Sequence, residues 1–378
     1  MSSNNSVLAN FNPFNRFRDF KKLPSDEKWR AVKEFFINNL LYILLIAAIV
    51  GIQIYDSRFL SLSSIVNIIS LSAANLPIAL GIAGCIILTG TDLSAGRIVG
   101  LTACVAASLL QAMGYANKMF PALPTIPILL VFIAIILIGA LVGFVNGFCT
   151  AKFKLHPFIV TLATQLITYG VLLMYLMQGT NNGQSISGLD AGYTSFITGS
   201  MFSLGGVAIP NYIFYAIGIT VIMWFIWNKT AFGKNMFAVG SNPEAANVSG
   251  VSVGKTIIWV FVLAGIMYGI TGFIEAARIG SNSAATGLNY ELDAIAACVI
   301  VVLLPEFCNL KSYKRFMNSL CSYACSQRVL IFSVVTLKLQ ASAREVKCIT
   351  LLTSSANPNS FINCSETAIE YSNIFASA

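Results

Sequence analysis

The chain has 378 residues, 56% of them hydrophobic and only 10% charged, and its mean hydropathy of +0.77 exceeds what a water-soluble core requires. Its formal net charge of +8 does not point to nucleic acid, because no basic face with interleaved aromatics accompanies it and seven of the 23 Lys and Arg lie between Arg16 and Lys33, ahead of the first apolar stretch. The composition excludes a soluble domain and a nucleic-acid partner, and it assigns an all-α fold, a polytopic transmembrane helical bundle surrounded by membrane lipid.

Residues 1–35 are polar and mixed in charge, without the short basic region and apolar core of a secretory leader, so this N-terminal segment is expected to stay in the cytoplasm. About 20 apolar residues are needed to cross the hydrocarbon layer. On that basis spans are expected at 36–54, 71–88, 93–113, 126–150, 158–177, 212–227 and 256–274, with an eighth starting near Leu292, all within a transmembrane domain of residues 36–300. Residues 180–210 contain no Lys or Arg, whereas 151–157 carries Lys152 and Lys154, and 228–255 carries Lys229, Lys234 and Lys255. Positive-inside bias puts the first loop outside and the other two in the cytoplasm.

The apolar run is first interrupted by "TGTDLSAGR", where Thr91, Asp92 and Ser94 stand among Gly90 and Gly96. An interrupted span points to a polar cavity, and a carboxylate at that depth is costly without a purpose. Two readings stand: these residues line a translocation pathway, or Asp92 or Ser94 caps the next helix while Asp92 pairs with Arg97. Asn146, Thr161, Thr164 and Gln165 add uncharged hydrogen-bonding groups to the fourth and fifth spans, suited to a neutral polyol and equally to bonding between helices. Gly139, Gly143 and Gly147 recur at every fourth residue, a stripe of small residues that allows two helices to approach closely.

Further along, "SNPEAANVSG" reads as a short capped helix in a cytoplasmic loop. Asn242 is an N-cap, Pro243 suits the first helical position, Glu244 places negative charge at the positive end of the helix dipole, and Gly250 supplies a left-handed stop. About two turns with Ala245 and Ala246 exposed are too short to be stable alone in water. The helix must be held by something, either as a structured loop or as a knob docking into another protein.

Enzyme motifs do not survive inspection. "GVSVGKT" at 250–256 has three residues between its glycines where a phosphate-binding loop needs four, and a membrane helix follows instead of the required preceding strand. The single histidine, His156, has no second His or clustered Cys to complete a metal site. Cys85, Cys104, Cys149 and Cys298 sit in or beside apolar spans, where a small hydrophobe is the default role. No catalytic residues, metal or cofactor are implied.

Glu244, Ala245 and Ala246 followed by Gly250 resemble the EAA loop of ABC importer permeases, the cytoplasmic coupling helix. "TGTDLSAGRIVGLTA" (89–103), "FVNGF" (144–148), "HPFIVTLAT" (156–164), "FGKNMFAVGSNPEAANVSGV" (232–251) and "YELDAIAACVI" (290–300) together resemble the carbohydrate permeases of the ribose and galactose type, in order, over roughly residues 36–300. The resemblance implies a permease that moves a neutral sugar by alternating access across a bacterial inner membrane. It also implies a homodimer partnered by a cytoplasmic ABC ATPase and a periplasmic sugar-binding protein. The alternative from another class is an ion-coupled secondary sugar transporter, for which Asp92 is the sole clear candidate group within a span.

Residues 301–378 change character. All 28 glycines precede residue 301, and five of the nine cysteines follow it. The family continues here with a glycine-rich stretch, so this tail is expected to be either a divergent extension or an out-of-frame ending. Val301 and Val302 are encoded by GTN GTN, and one added G allows Gly-Gly when the Val301 codon ends in G. We expect the gene, read in all three frames beyond codon 300, to show a glycine-bearing apolar continuation in a neighbouring frame. Finding none in either would establish the tail as a true extension.

Overall fold

The computed structural model describes residues 61–124 and 126–307, together with Trp29, Lys33 and residues 49–54. Of the first expected span only 49–54 are described, and they are helical. The rest of that span, most of the N-terminal segment, and the tail beyond 307 with the expectation attached to it lie outside the described residues.

Helix α1, Leu62–Ile87, begins well before the expected residue 71 because Ser61 caps it, accepting a hydrogen bond from the Ser64 amide at 3.3 Å. Pro77 is carried within it. Helix α2, Ala95–Leu109, replaces the expected span 93–113. Its 15 residues rise only about 22 Å, less than the hydrocarbon thickness, and the chain enters it through a non-helical stretch at 88–94. Helices α3 (Ile128–Phe153) and α4 (Pro157–Leu176) fall close to the expected bounds.

The connection after α4 holds a short helix α5, Ala191–Thr198, and a two-stranded antiparallel hairpin, β1 Ser200–Leu204 and β2 Val207–Pro210, absent from the all-helical expectation. Its turn is Gly205-Gly206, both at positive φ, the geometry that suits the twist of a hairpin. Helices α6 (Tyr212–Lys229), α7 (Ala231–Ser241), α8 (Pro243–Val248) and α9 (Val253–Ile279) follow. The last, α10, Tyr290–Phe307, starts two residues before Leu292 and continues through Pro305. Among the described residues, α1, α3, α4, α6 and α9 are long and apolar enough to cross a membrane.

Packing centres on α9. A Cβ placed on Gly139 would collide with the Gly265 carbonyl, one on Gly143 with the Phe261 carbonyl, and one on Gly265 with the Gly139 carbonyl. On Gly147 it would lie 2.8 Å from the Ile258 Cα. The glycine stripe of α3 is therefore a backbone-to-backbone seam with α9, as the packing reading required. The opposite side of α3 leaves Leu130, Leu137, Leu141 and Phe144 exposed.

Gly143→Val is expected to force this seam apart and cost about 1–3 kcal/mol. Gly218→Val on α6, where nothing lies within 4 Å of the added carbon, should be tolerated. Thermal unfolding of the detergent-solubilised variants compares the two, and equal melting temperatures would remove the seam as a determinant of stability.

Candidate functional site

The end of α1 winds into a tight reversal. The amides of Leu88 and Gly90 both donate to the Cys85 carbonyl at 3.1 Å, and Thr89 takes a left-handed conformation with φ 59. A β-branched residue is strained there. Gly90 lies flat against Pro157, which opens α4, with no room for a larger residue.

Asp92 follows, fully buried. Its Oδ1 accepts hydrogen bonds from the Ser94 amide at 2.9 Å and the Ser94 hydroxyl at 2.6 Å, and its Oδ2 accepts from the Tyr268 hydroxyl of α9 at 3.1 Å. Ser94, the N-cap residue of α2, makes no side-chain capping bond itself. The carboxylate thus organises the entry into α2 without the Arg97 pairing weighed from sequence. Arg97 turns away, donating to the Ala284 carbonyl at 3.0 Å with its guanidinium 4.2 Å from the centre of the Tyr169 ring.

Two more expected residues join this break. The Asn146 amide donates to the Ser94 hydroxyl at 2.9 Å, and the Thr161 hydroxyl accepts from the Leu93 amide at 3.2 Å and lies 3.3 Å from the Thr91 carbonyl. Gln165 is not among them. One turn further along α4, its amide donates to Glu291 Oε1 at 3.2 Å. Asp92, Ser94, Asn146 and Thr161 are fully buried, so in this conformation they face one another, while Thr91 and Gln165 are half-buried. Asn146 Oδ1 and, one turn on, Thr150 Oγ1 are buried without a hydrogen-bond partner.

Asp92 is also not the sole ionisable group at depth. Glu275 of α9, fully buried, receives both the Nε and Nη2 groups of Arg278 at 2.9 and 2.7 Å and the Tyr290 hydroxyl at 3.2 Å. Spacing of an acid and a base by three residues was a legible signal for this pair. Nothing in the sequence signalled that Tyr268 would reach Asp92 across 176 residues. His156 serves as N-cap of α4, its Nδ1 accepting from the Phe158 amide at 3.3 Å.

In the loop between α7 and α9, Asn242 Oδ1 accepts from the amides of Glu244 and Ala245, both at 3.0 Å, and α8 spans six residues. Gly250 has φ +84, and the Val251 amide closes back onto the Ala246 carbonyl at 3.0 Å, a Schellman ending. Ala246 is buried rather than exposed, because it faces the helices that brace α8 from within. Glu244 and Ala245 point outward, as does Val248, 90% exposed and unremarked in the sequence. Behind α8, the Gly240 backbone of α7 packs against the Ile87 carbonyl at the end of α1.

Tyr268→Phe should leave Asp92 one donor short and cost about 1–3 kcal/mol. A melting temperature equal to that of the parent would show that the Tyr268 bond to Asp92 carries no stability.

Residues 64–309 match the family described as branched-chain amino acid transport system / permease component. The chain is 46% identical over 260 residues to the galactose/methyl galactoside import permease protein MglC of Escherichia coli strain K12, covering 69% of this chain and 76% of that one. Against the MglC protein of Haemophilus influenzae it is 43% identical over 69% of this chain and 77% of the relative. Against the ribose import permease protein RbsC of Escherichia coli strain K12 it is 32% identical over 69% and 75%. No solved structure matches it.

Proposed function

The chain belongs to the branched-chain amino acid transport system / permease component family, and from that premise we propose that it is the membrane-spanning permease subunit of an ABC importer that carries a neutral sugar of the galactose or methyl-galactoside type. The observation that carries this reading is a capped, outward-facing helix between α7 and α9 in a chain 46% identical to a galactose/methyl galactoside import permease. The chain is a transport subunit and not an enzyme. It is multi-pass in the bacterial inner membrane, and its partners are an ATPase and a substrate-binding protein. A permease component of a multi-part transport system draws its energy from a partner, which sets aside the ion-coupled alternative.

Finer features follow the same reading. Residues 36–300 form the permease domain, residues 1–35 lie in the cytoplasm with the N-terminus, and two copies of the chain assemble in the lipid. Asn242, Pro243, Glu244, Ala245, Ala246 and Gly250 build the ATPase-coupling helix, with Val248 as the apolar knob offered to the ATPase. Thr91, Asp92, Ser94, Asn146 and Thr161 shape the translocation pathway at the break between α1 and α2, and Gln165 extends it one turn along α4. Motion of α8 has a short route to that break, through α7 and the Gly240 contact with the end of α1. The strained Thr89 is the first residue such a displacement would relieve.

Glu244→Arg, and Gly250→Ile at its positive φ, are expected to abolish stimulation of ATP hydrolysis by the sugar-loaded binding protein and to reduce sugar uptake, with membrane insertion intact. Uptake at the parent rate by both variants in the complex with the cognate ATPase would overturn the coupling assignment.

A further inference from the structure

A second polar cluster lies beside the break and is not used by it. Gln165 is the ninth of the 20 residues of α4, roughly 12 Å from that helix's cytoplasmic end and so near the membrane midplane. Tyr169 stands one turn further on, with the Arg97 guanidinium over its ring, and Arg97 is half-buried. A guanidinium at that depth with part of its surface open does not face lipid; it faces a protein interior or a watered cavity. The neighbouring face of α4 is plainly different, with Leu166 and Ile167 66% and 67% exposed.

Glu291 completes the cluster from α10. Only 4% exposed, it accepts the Gln165 amide at Oε1, while Oε2 is buried without a partner. That oxygen sits where a side chain on residue 96 would be, in the notch left by Gly96. An unpaired buried carboxylate oxygen is costly, and the cost is relieved when a donor reaches it.

We propose that Arg97, Tyr169, Gln165 and Glu291 form a mid-membrane contact site for a neutral polyhydroxylated substrate, a site that rests on the sugar-importer reading above. Sugar hydroxyls both donate and accept. Arg97 uses one N–H on the Ala284 carbonyl and has others to give, Glu291 accepts, and Gln165 does both. Tyr169 fixes the plane of the guanidinium rather than touching the sugar with its covered face. In the conformation described, the orphan oxygen of Glu291 is held against Gly96. Displacement of α10 from α2 would turn that oxygen toward the pathway, where a substrate hydroxyl satisfies it. A guanidinium and a carboxylate together leave the site without a net charge, which suits a neutral cargo.

The test is made on the full chain with its cognate ATPase and binding protein in reconstituted membranes. Gln165→Cys is expected to react with a membrane-impermeant thiol reagent, above the background of the native cysteines, and to be protected by millimolar transported sugar. Leu166→Cys should stay unreactive. Arg97→Lys and Glu291→Gln are expected to raise the apparent KM for uptake about tenfold or more, with complex assembly and binding-protein affinity unchanged. Equal reactivity at 165 and 166, absence of sugar protection at 165, or parental uptake by both Arg97→Lys and Glu291→Gln would each overturn the site while leaving the importer reading in place. If the parent complex carries none of a panel of neutral hexoses, the importer reading fails and the site falls with it.

Discussion

The seam between α3 and α9 depends on the absence of side chains. In lipid, helices gain little from burying apolar surface against one another, since the surrounding tails are equally apolar, so association rests on close backbone approach and on hydrogen bonds. Gly139, Gly143 and Gly147 on one helix and Gly265 on the other provide that approach. With α9 seated there, its remaining faces meet α1 and α2. Tyr268 lies over Gly81 of α1, and Gly272 leaves space for the Thr102 hydroxyl of α2. The position of Tyr268 is what brings a hydroxyl to Asp92. The polar break is therefore assembled only where the apolar seam allows it.

At the break, a buried carboxylate is kept without a cation. Three donors on its two oxygens take the place of the Arg97 partner, and this frees Arg97 for the Ala284 carbonyl and the Tyr169 ring. The arrangement spends hydrogen bonds on holding a reversed chain between α1 and α2, and Thr89 holds a left-handed conformation that β-branched residues ordinarily avoid. Strain at a site flanked by Pro157 on one side and by the α7 connection on the other gives a physical reason for this segment to switch between arrangements. The buried ion pair of Glu275 and Arg278, tied to Tyr290, anchors the start of α10 to α9 and so limits where α10 can move.

Several features were open to sequence reasoning because they depend on local chemistry. Asn242, Pro243, Glu244 and Gly250 define a capped helix through contacts within ten residues, and the structure follows them closely. Long apolar runs placed α3, α4, α6 and α9 for the same reason. The Gly205-Gly206 hairpin also carried a local turn signal, but its strands of five and four residues lie in a chain so apolar that alternation does not stand out. The shortness of α2 was missed because hydropathy does not register where an apolar helix gives way to apolar non-helical chain.

Composition, apolar runs and caps by themselves determined a membrane bundle, most of its long helices, the close-packing role of the α3 glycines and the exposure of Ala245. Tertiary structure alone decided which polar groups meet. It turned Ala246 inward, separated Arg97 from Asp92, joined Gln165 to Glu291, and brought Tyr268 to a carboxylate 176 residues away. The physical reason is that a cap or an apolar run is satisfied by neighbours in the chain. A buried polar side chain is satisfied only by whatever the packing of distant helices sets within about 3 Å of it.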